Sequence, residues 1–293
     1  MDGKRRTFPD GSPRGSAGRP WLWQHGTPLG HARHRRVWPG LLICCWLFAS
    51  LAWPSDNGLL KVEPDRPDVS NSTHTVPVRA LQVELGLEYA RSHNDATERR
   101  LAVQTTLRTG LSDHVEVRLD GEPLVRLKEE SDDVGLGDIA VGLKYRVFEP
   151  AESQGWPTLG VQAFVKLPTA RTPIGSGRLD AGVFLLADQD LPGEVQLTVN
   201  AGLVVVGQPH GSLLQGLASA SVSREFWGRL TPFLEMFFAS RDEREGHDTV
   251  GLDTGLVYLL TRRVAIDVAA ETTLNRHRPD YALRTGLSLL LGR

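Results

Sequence analysis

Residues 81–90 read LQVELGLEYA. Leu81, Val83, Leu85, Leu87 and Tyr89 are apolar or aromatic, and Gln82, Glu84, Gly86 and Glu88 lie between them. Side chains alternate faces along a strand, so the apolar groups share one face and both glutamates share the other. Two surroundings accept such a strand. A half-buried strand of a soluble sheet turns its apolar face to a core and its polar face to water. A membrane barrel inverts this, apolar toward lipid and polar toward the lumen. Repetition, strand length and compartment separate the two.

The alternation recurs along the chain. LAVQTTLRT (101–109) sets Leu101, Val103, Thr105 and Leu107 against Gln104 and Arg108. HVEVRLD (114–120) sets Val115, Val117 and Leu119 against His114, Glu116, Arg118 and Asp120. DIAVGLKYRV (138–147) places Lys144 and Arg146 opposite Ile139, Val141, Leu143 and Tyr145, and LGVQAFVKL (159–167) places Lys166 opposite Val165 and Leu167. RLTPFLEMFFA, VGLDTGLVYLL, VAIDVAAETTL and YALRTGLSLLL continue the series with Glu235, Asp253, Asp267, Glu271 and Arg284 on the polar face. The pattern predicts about twelve strands of roughly nine to eleven residues, the length that spans a bilayer when tilted. Sandwich strands are nearer five or six residues. Glycines recur on the polar face (Gly86, Gly142, Gly182, Gly202, Gly255, Gly286), where a curved wall crowds its interior.

The start differs in composition. Residues 1–36 are basic and end HARHRR, followed by VWPGLLICCWLFASLAWP. Positive charge, a short apolar core and then small residues are the pattern of a secretory signal, with cleavage expected after Ala52; the alternative is a single membrane anchor, for which the apolar run is short. Both cysteines, Cys44 and Cys45, and the histidines of HGTPLGHARH fall in this leader, so no metal site and no disulfide framework is expected beyond it. Residues 53–79 are rich in Pro, Asp, Ser and Thr and read as an extended segment, either a periplasmic tether or a plug. Residues 80–293 form the barrel. The full chain has 33 Lys+Arg and 35 Asp+Glu; the leader holds 8 and 2 of these, which leaves 25 and 33, a net charge of −8. That charge excludes a nucleic-acid partner, which calls for a basic surface.

An even number of strands with both termini on one side is the rule for bacterial outer-membrane barrels. If the first strand runs outward, the links at 110–113, 148–156, 188–194, 224–229 and 261–263 face the periplasm. Those near 91–98, 120–135, 168–179, 207–212, 240–248 and 275–280 face outside. Tyr145, Phe148, Trp156, Phe226, Trp227 and Tyr258 then collect at the periplasmic boundary, and Tyr89, Phe238 and Tyr281 at the other. Two aromatic belts are what membrane interfaces select. The expected fold is a closed antiparallel up-and-down transmembrane β-barrel, all-β, in which closure pairs every backbone group within lipid.

The segment DRPDVSNSTHTVPVRALQVELGLEY (65–89) resembles the opening of a bacterial outer-membrane family labelled as phenol-degradation (MetA-pathway) transporters. The resemblance rests on Asp65, Arg66, Pro67 and Asp68, then on Gln82, Glu84 and Gly86 of the QxExG strand. GLSDHVEVRL, GLGDIAVGLKYRV, PFLEMFF and LLTRRVAIDVAAE are similar to that family too, so the likeness covers about residues 65–293. One departure is the ending LSLLLGR, where such barrels carry a terminal aromatic residue. The resemblance implies a barrel that moves small molecules, aromatic ones among them, across the outer membrane. Outer-membrane lipid, the barrel-assembly machinery and a passing solute are then its partners, and no cofactor is expected.

The lumen candidates are Glu84, Glu88, Arg108, Glu116, Arg118, Lys144, Arg146, Lys166, Glu235, Asp253, Asp267, Glu271 and Arg284. Their mixed signs predict ion pairs across the lumen. Twelve strands lie between the filled eight-stranded barrel and the open sixteen-stranded porin, which predicts a narrow or partly plugged pore. Each charge also has a plainer reading, since the architecture alone requires a polar lumen. Two other functions compete with transport: a structural or surface-display barrel, and a membrane-embedded hydrolase. The second lacks a GxSxG turn, and its histidine candidate is His114, expected inside a strand and facing the lumen.

Overall fold

The computed structural model describes residues 60–292 except 94–96, 130, 152–154 and 276–278. The expected leader, 1–52, and residues 53–59 lie outside the described residues. The strands are β1 (Leu81–His93), β2 (Thr97–Ser112), β3 (Val115–Lys128), β4 (Asp132–Gly135), β5 (Ile139–Phe148) and β6 (Thr158–Leu167). They continue with β7 (Asp180–Leu191), β8 (Val195–Gly207), β9 (Ser212–Arg224), β10 (Leu230–Ala239), β11 (Thr249–Thr261), β12 (Val264–Thr273) and β13 (Tyr281–Leu291).

Each long strand pairs antiparallel with its neighbour in sequence, and β1 pairs with β13, so the sheet closes on itself. The register of closure runs from Leu81 opposite Leu291 to Arg91 opposite Tyr281. The short β4 only extends β3, which pairs with β5 as the next wall strand. The wall is therefore a closed antiparallel barrel of twelve strands, with no unpaired edge.

Alternation sorts the side chains as local geometry requires. Glu84 and Glu88 are buried inside, and Leu81, Leu85 and Leu87 are exposed on the outer surface. The exposed outer residues include Leu101, Leu119, Val141, Leu143, Val165, Val183, Leu203, Leu234, Val268 and Leu283, so an apolar band rings the wall. A soluble protein does not present such a surface. The sheet is a transmembrane barrel. Arginine on the lipid face costs roughly 2–4 kcal/mol at the midplane. Leu85→Arg is accordingly expected to cut the yield of folded, heat-modifiable barrel sharply, whereas Leu85→Phe leaves it unchanged.

Several strands run past their expected ends. β2 has 16 residues and β3 has 14. Most of the expected link at 120–135 is strand: β3 continues to Lys128, past a register shift opposite Val103 and Thr105, and turns back through β4. His114 lies exposed in the two-residue turn between β2 and β3, not on a lumen-facing strand position. A tight turn after Ser112 consumes the residues that the alternation had assigned to the strand.

Candidate functional site

The end of the barrel bearing Leu81 and Leu291 is called the terminal end; the other is the loop end. All thirteen candidate charges point inward. Twelve are buried, and Arg146, near the terminal end, is partly exposed. What they meet there is the chain itself. Residues 60–79 enter the lumen at the terminal end, cross it and return before β1 begins.

The path is held by its backbone. Val62 N–H donates to the Arg262 carbonyl at 2.8 Å in the β11–β12 turn. Asp65 N–H donates to Glu84, 3.4 Å. Val69 and Ser70 N–H donate to the Glu235 carboxylate on β10 at 2.6 and 2.8 Å. The Asn200 side chain on β8 bonds both the N–H and the C=O of Asn71, at 2.7 and 3.0 Å. Thr73 N–H reaches Asp188 on β7, and Val76 N–H reaches Glu116 on β3 at 2.9 Å. Cations on the wall take the carbonyls. Arg108 donates to those of Glu63 and His74, and Arg284 to that of Pro67 at 2.6 Å. A segment buried without a sheet partner must find such bonds elsewhere, and the wall charges supply them.

Asp65 is the centre of the charged side. Its carboxylate accepts from Lys144 at 2.7 Å and Arg118 at 3.1 Å, with Arg108 at 3.4 Å. Ser72 donates to its other oxygen. Burial works against its charge, but Arg108, Lys144 and Arg118 outweigh that and hold it well below the usual carboxylate range. Asp68 is its opposite: burial, with Glu235 and Asp253 nearby, pushes it well above that range. Arg66 donates to Gln104 at 2.6 Å and lies 3.6 Å from Asp267. A Cβ on Gly86 would fall 2.2 Å from the Arg66 guanidinium, so the bare position in the QxExG strand makes room for the DRPD arginine. A Cβ on Gly110 would fall 2.0 Å from the Val76 carbonyl, which clears the way out.

Nine of the thirteen candidates bear on this segment: Glu84, Arg108, Glu116, Arg118, Lys144, Arg146, Glu235, Asp267 and Arg284. The other four pair along the wall. Glu88 bonds Arg100 at 3.0 Å, Asp253 and Glu271 bond Arg284, and Lys166 bonds Asp180 at 2.5 Å. Asp180, Asp188 and Arg100 are buried lumen charges beyond the thirteen candidates. Asp180 and Asp188 fall in LDAGVFLLAD (179–188), whose alternation is less clean, and Arg100 falls just before the expected strand at 101; the alternation from Phe184 and Leu186 leads to Asp188.

The lumen also has an apolar sector, which periodicity assigned to no role. Phe164, Val204, Leu217 and Ala239 form a buried cluster with Phe184 packed against it. Phe233 and Phe237 on β10 are buried inward as well. Gly182, Gly202 and Gly251 lie opposite Phe164, Phe184 and Phe237 in register, and each ring occupies the space of the missing Cβ. The rings thus lie against the wall.

Of the cavities that border the segment, two lie toward opposite ends of the barrel. One, of about 390 Å³, opens at the terminal end among Lys61, Glu63, Asp190, Glu194, Glu225 and Leu259. The other, of about 80 Å³, lies toward the loop end among Glu88, Gln104, Arg118, Asp120, Glu122 and Arg284. Residues 65–68 line both.

His74 marks where the segment turns back to the terminal end. Its Nδ1 lies 3.0 Å from Glu63, and both side chains are half exposed. Burial lowers the His74 pKa, but the Glu63 hydrogen bond and charge outweigh it and raise the pKa above 6.5; Asp188 adds to this and Arg146 opposes it. The pair therefore stabilises the docked segment fully below about pH 6.5, and loses this as pH rises through the raised pKa. Openings of the pore are expected to become more frequent from pH 6 to 8.5. His74→Gln should flatten that dependence.

The chain's residues 64–291 match the family model described as putative MetA-pathway of phenol degradation. No curated protein sequence is significantly similar to it. Among solved structures, it is similar to the COG4313 outer membrane channel from Pseudomonas putida F1, with 12% identity and a TM-score of 0.63, covering 78% of this chain and 100% of that one. It is also similar to the NanC porin, with 13% identity and a TM-score of 0.48, covering 71% and 98%. The fold is that of bacterial outer-membrane barrels.

Proposed function

Because the chain belongs to the family described as putative MetA-pathway of phenol degradation, we propose that it is an outer-membrane channel for small molecules, narrowed by its own residues 63–76. The observation that carries this reading is the pair of cavities, one toward each end of the barrel, divided by residues 65–68. A display barrel without transport has no use for two vestibules joined at a charged partition. The terminal end faces the periplasm, where the chain enters after export, and the loop end faces outside. The lumen candidates act first as clamps on the segment and only then as pore lining.

The apolar sector of Phe164, Phe184 and Phe237 opposite the charges supports solutes with an apolar body, aromatic ones included. A hydrolase reading finds no support: His114 lies exposed in a turn, away from the lumen. The test is reconstitution of the full chain in planar bilayers and in liposomes. Small, discrete conductance steps and passage of phenol-sized solutes in preference to disaccharides are expected. Folded, heat-modifiable protein that gives neither would refute the channel.

A further inference from the structure

We propose that Arg91, Arg99 and Lys128, on the outer surface at the loop end, bind the phosphorylated headgroup of an outer-leaflet glycolipid of the lipid A type. The three residues occupy one row of the sheet. Arg91 is opposite Arg99, and Arg99 is opposite Lys128. Tyr281 completes the row on the other side of Arg91. Alternation turns them outward, since their neighbours Ser92, Glu98, Arg100 and Leu127 are buried. One row toward the terminal end are Leu283, Tyr89 and Leu101, the last of the apolar band, with Arg126 beside them. The cations thus stand where lipid chains end and headgroups begin, next to the tilted pair Tyr89 and Tyr281, whose rings are 6.3 Å apart.

Like charges directly opposite each other on a sheet repel. Three in a row are unfavourable unless an anion lies over them. Among the described residues, no ion pair engages Arg91, Arg99 or Lys128, and Lys128 acts on Asp132 only through space. Asp132 sits opposite Lys128 in register, but its carboxylate is forked by the Arg126 guanidinium at 2.8 and 2.5 Å. Neighbouring strands are about 4.8 Å apart, so the row spans about 10 Å. That width suits two phosphates carried on one sugar headgroup, each met by charge-assisted hydrogen bonds. The inference rests on the outward orientation of the loop end proposed above.

The test titrates the detergent-purified full chain with bisphosphorylated lipid A, monophosphorylated lipid A, phosphatidylcholine and inorganic phosphate, and reads bound lipid by native mass spectrometry. Wild type is expected to retain bisphosphorylated lipid A most strongly. Arg91→Gln/Arg99→Gln/Lys128→Gln should bind it at least tenfold more weakly, and the triple lysine-or-arginine swap (R91K/R99K/K128R) should keep binding. Arg171→Gln/Arg241→Gln, in the loops, serves as the control and should bind as wild type. Equal binding by the glutamine triple, equal loss in the loop control, or displacement of the lipid by millimolar inorganic phosphate would each overturn the site. Heat-modifiable mobility confirms that each variant is folded. Conductance is measured on the same samples: a conducting barrel without lipid A binding sinks this site alone, and one that binds but never conducts sinks the channel reading instead.

Discussion

Deleting residues 64–76 should raise single-channel conductance on the order of tenfold, toward that of an unobstructed twelve-stranded lumen. The segment is not part of the wall: among the described residues, the bridge to the sheet ladder is Val78–Gly110, just after it. Every wall strand keeps its antiparallel partners without it. Its removal leaves Glu84, Arg108, Glu116, Arg118, Glu235 and Arg284 facing one another across water rather than across a peptide backbone. Those charges can be solvated, so the barrel is expected to fold and to keep its heat-modifiable mobility. Thermal stability should fall, because the bonds to Glu235, Asn200 and Asp188 are lost together. Unchanged conductance in a folded deletion variant would mean that residues 64–76 do not set the width of the path.

Asp65→Ala tests the same arrangement at one carboxylate. It leaves Lys144, Arg118 and Arg108 buried around a missing anion. Breaking a buried ion pair by removing one partner costs about 3–5 kcal/mol, because the remaining charge is uncompensated. Here the protein has a way out that a packed core lacks. The segment can leave, and water can then reach the three cations. The expected result is partial release: a fraction of channels at the conductance of the deletion variant, and proteinase K cleavage within residues 66–76 that wild type resists. Asp253→Ala is the comparison, because Asp253 pairs with Arg284 on the wall. It should destabilise without opening residues 66–76 to the protease. Protection of residues 66–76 from proteinase K in Asp65→Ala would place the grip of the segment elsewhere, with Glu235 and Asn200.

The wall is legible in the alternation of residues. Leu81 to Tyr89 carry their faces in a period of two, and that period is a property of the extended backbone, set residue by residue without reference to the rest of the chain. Strand number, closure and the inward direction of all thirteen charges follow from repeating it. The family likeness in DRPD and QxExG was legible too, but not that Arg66 lies over Gly86. What the charges do depends on contacts made across the closed barrel. Ser70 and Glu235 are 165 residues apart, and Pro67 and Arg284 are 217 apart. No local pattern records such pairings, because closure of the barrel creates the space in which they meet. Sequence composition marked residues 53–79 as irregular, and Pro64 and Pro67 barred them from the ladder. Where an irregular segment goes depends on which buried donors and acceptors it can satisfy. In this protein those lie on strands all around the lumen wall, and they exist as a set only once β1 has met β13.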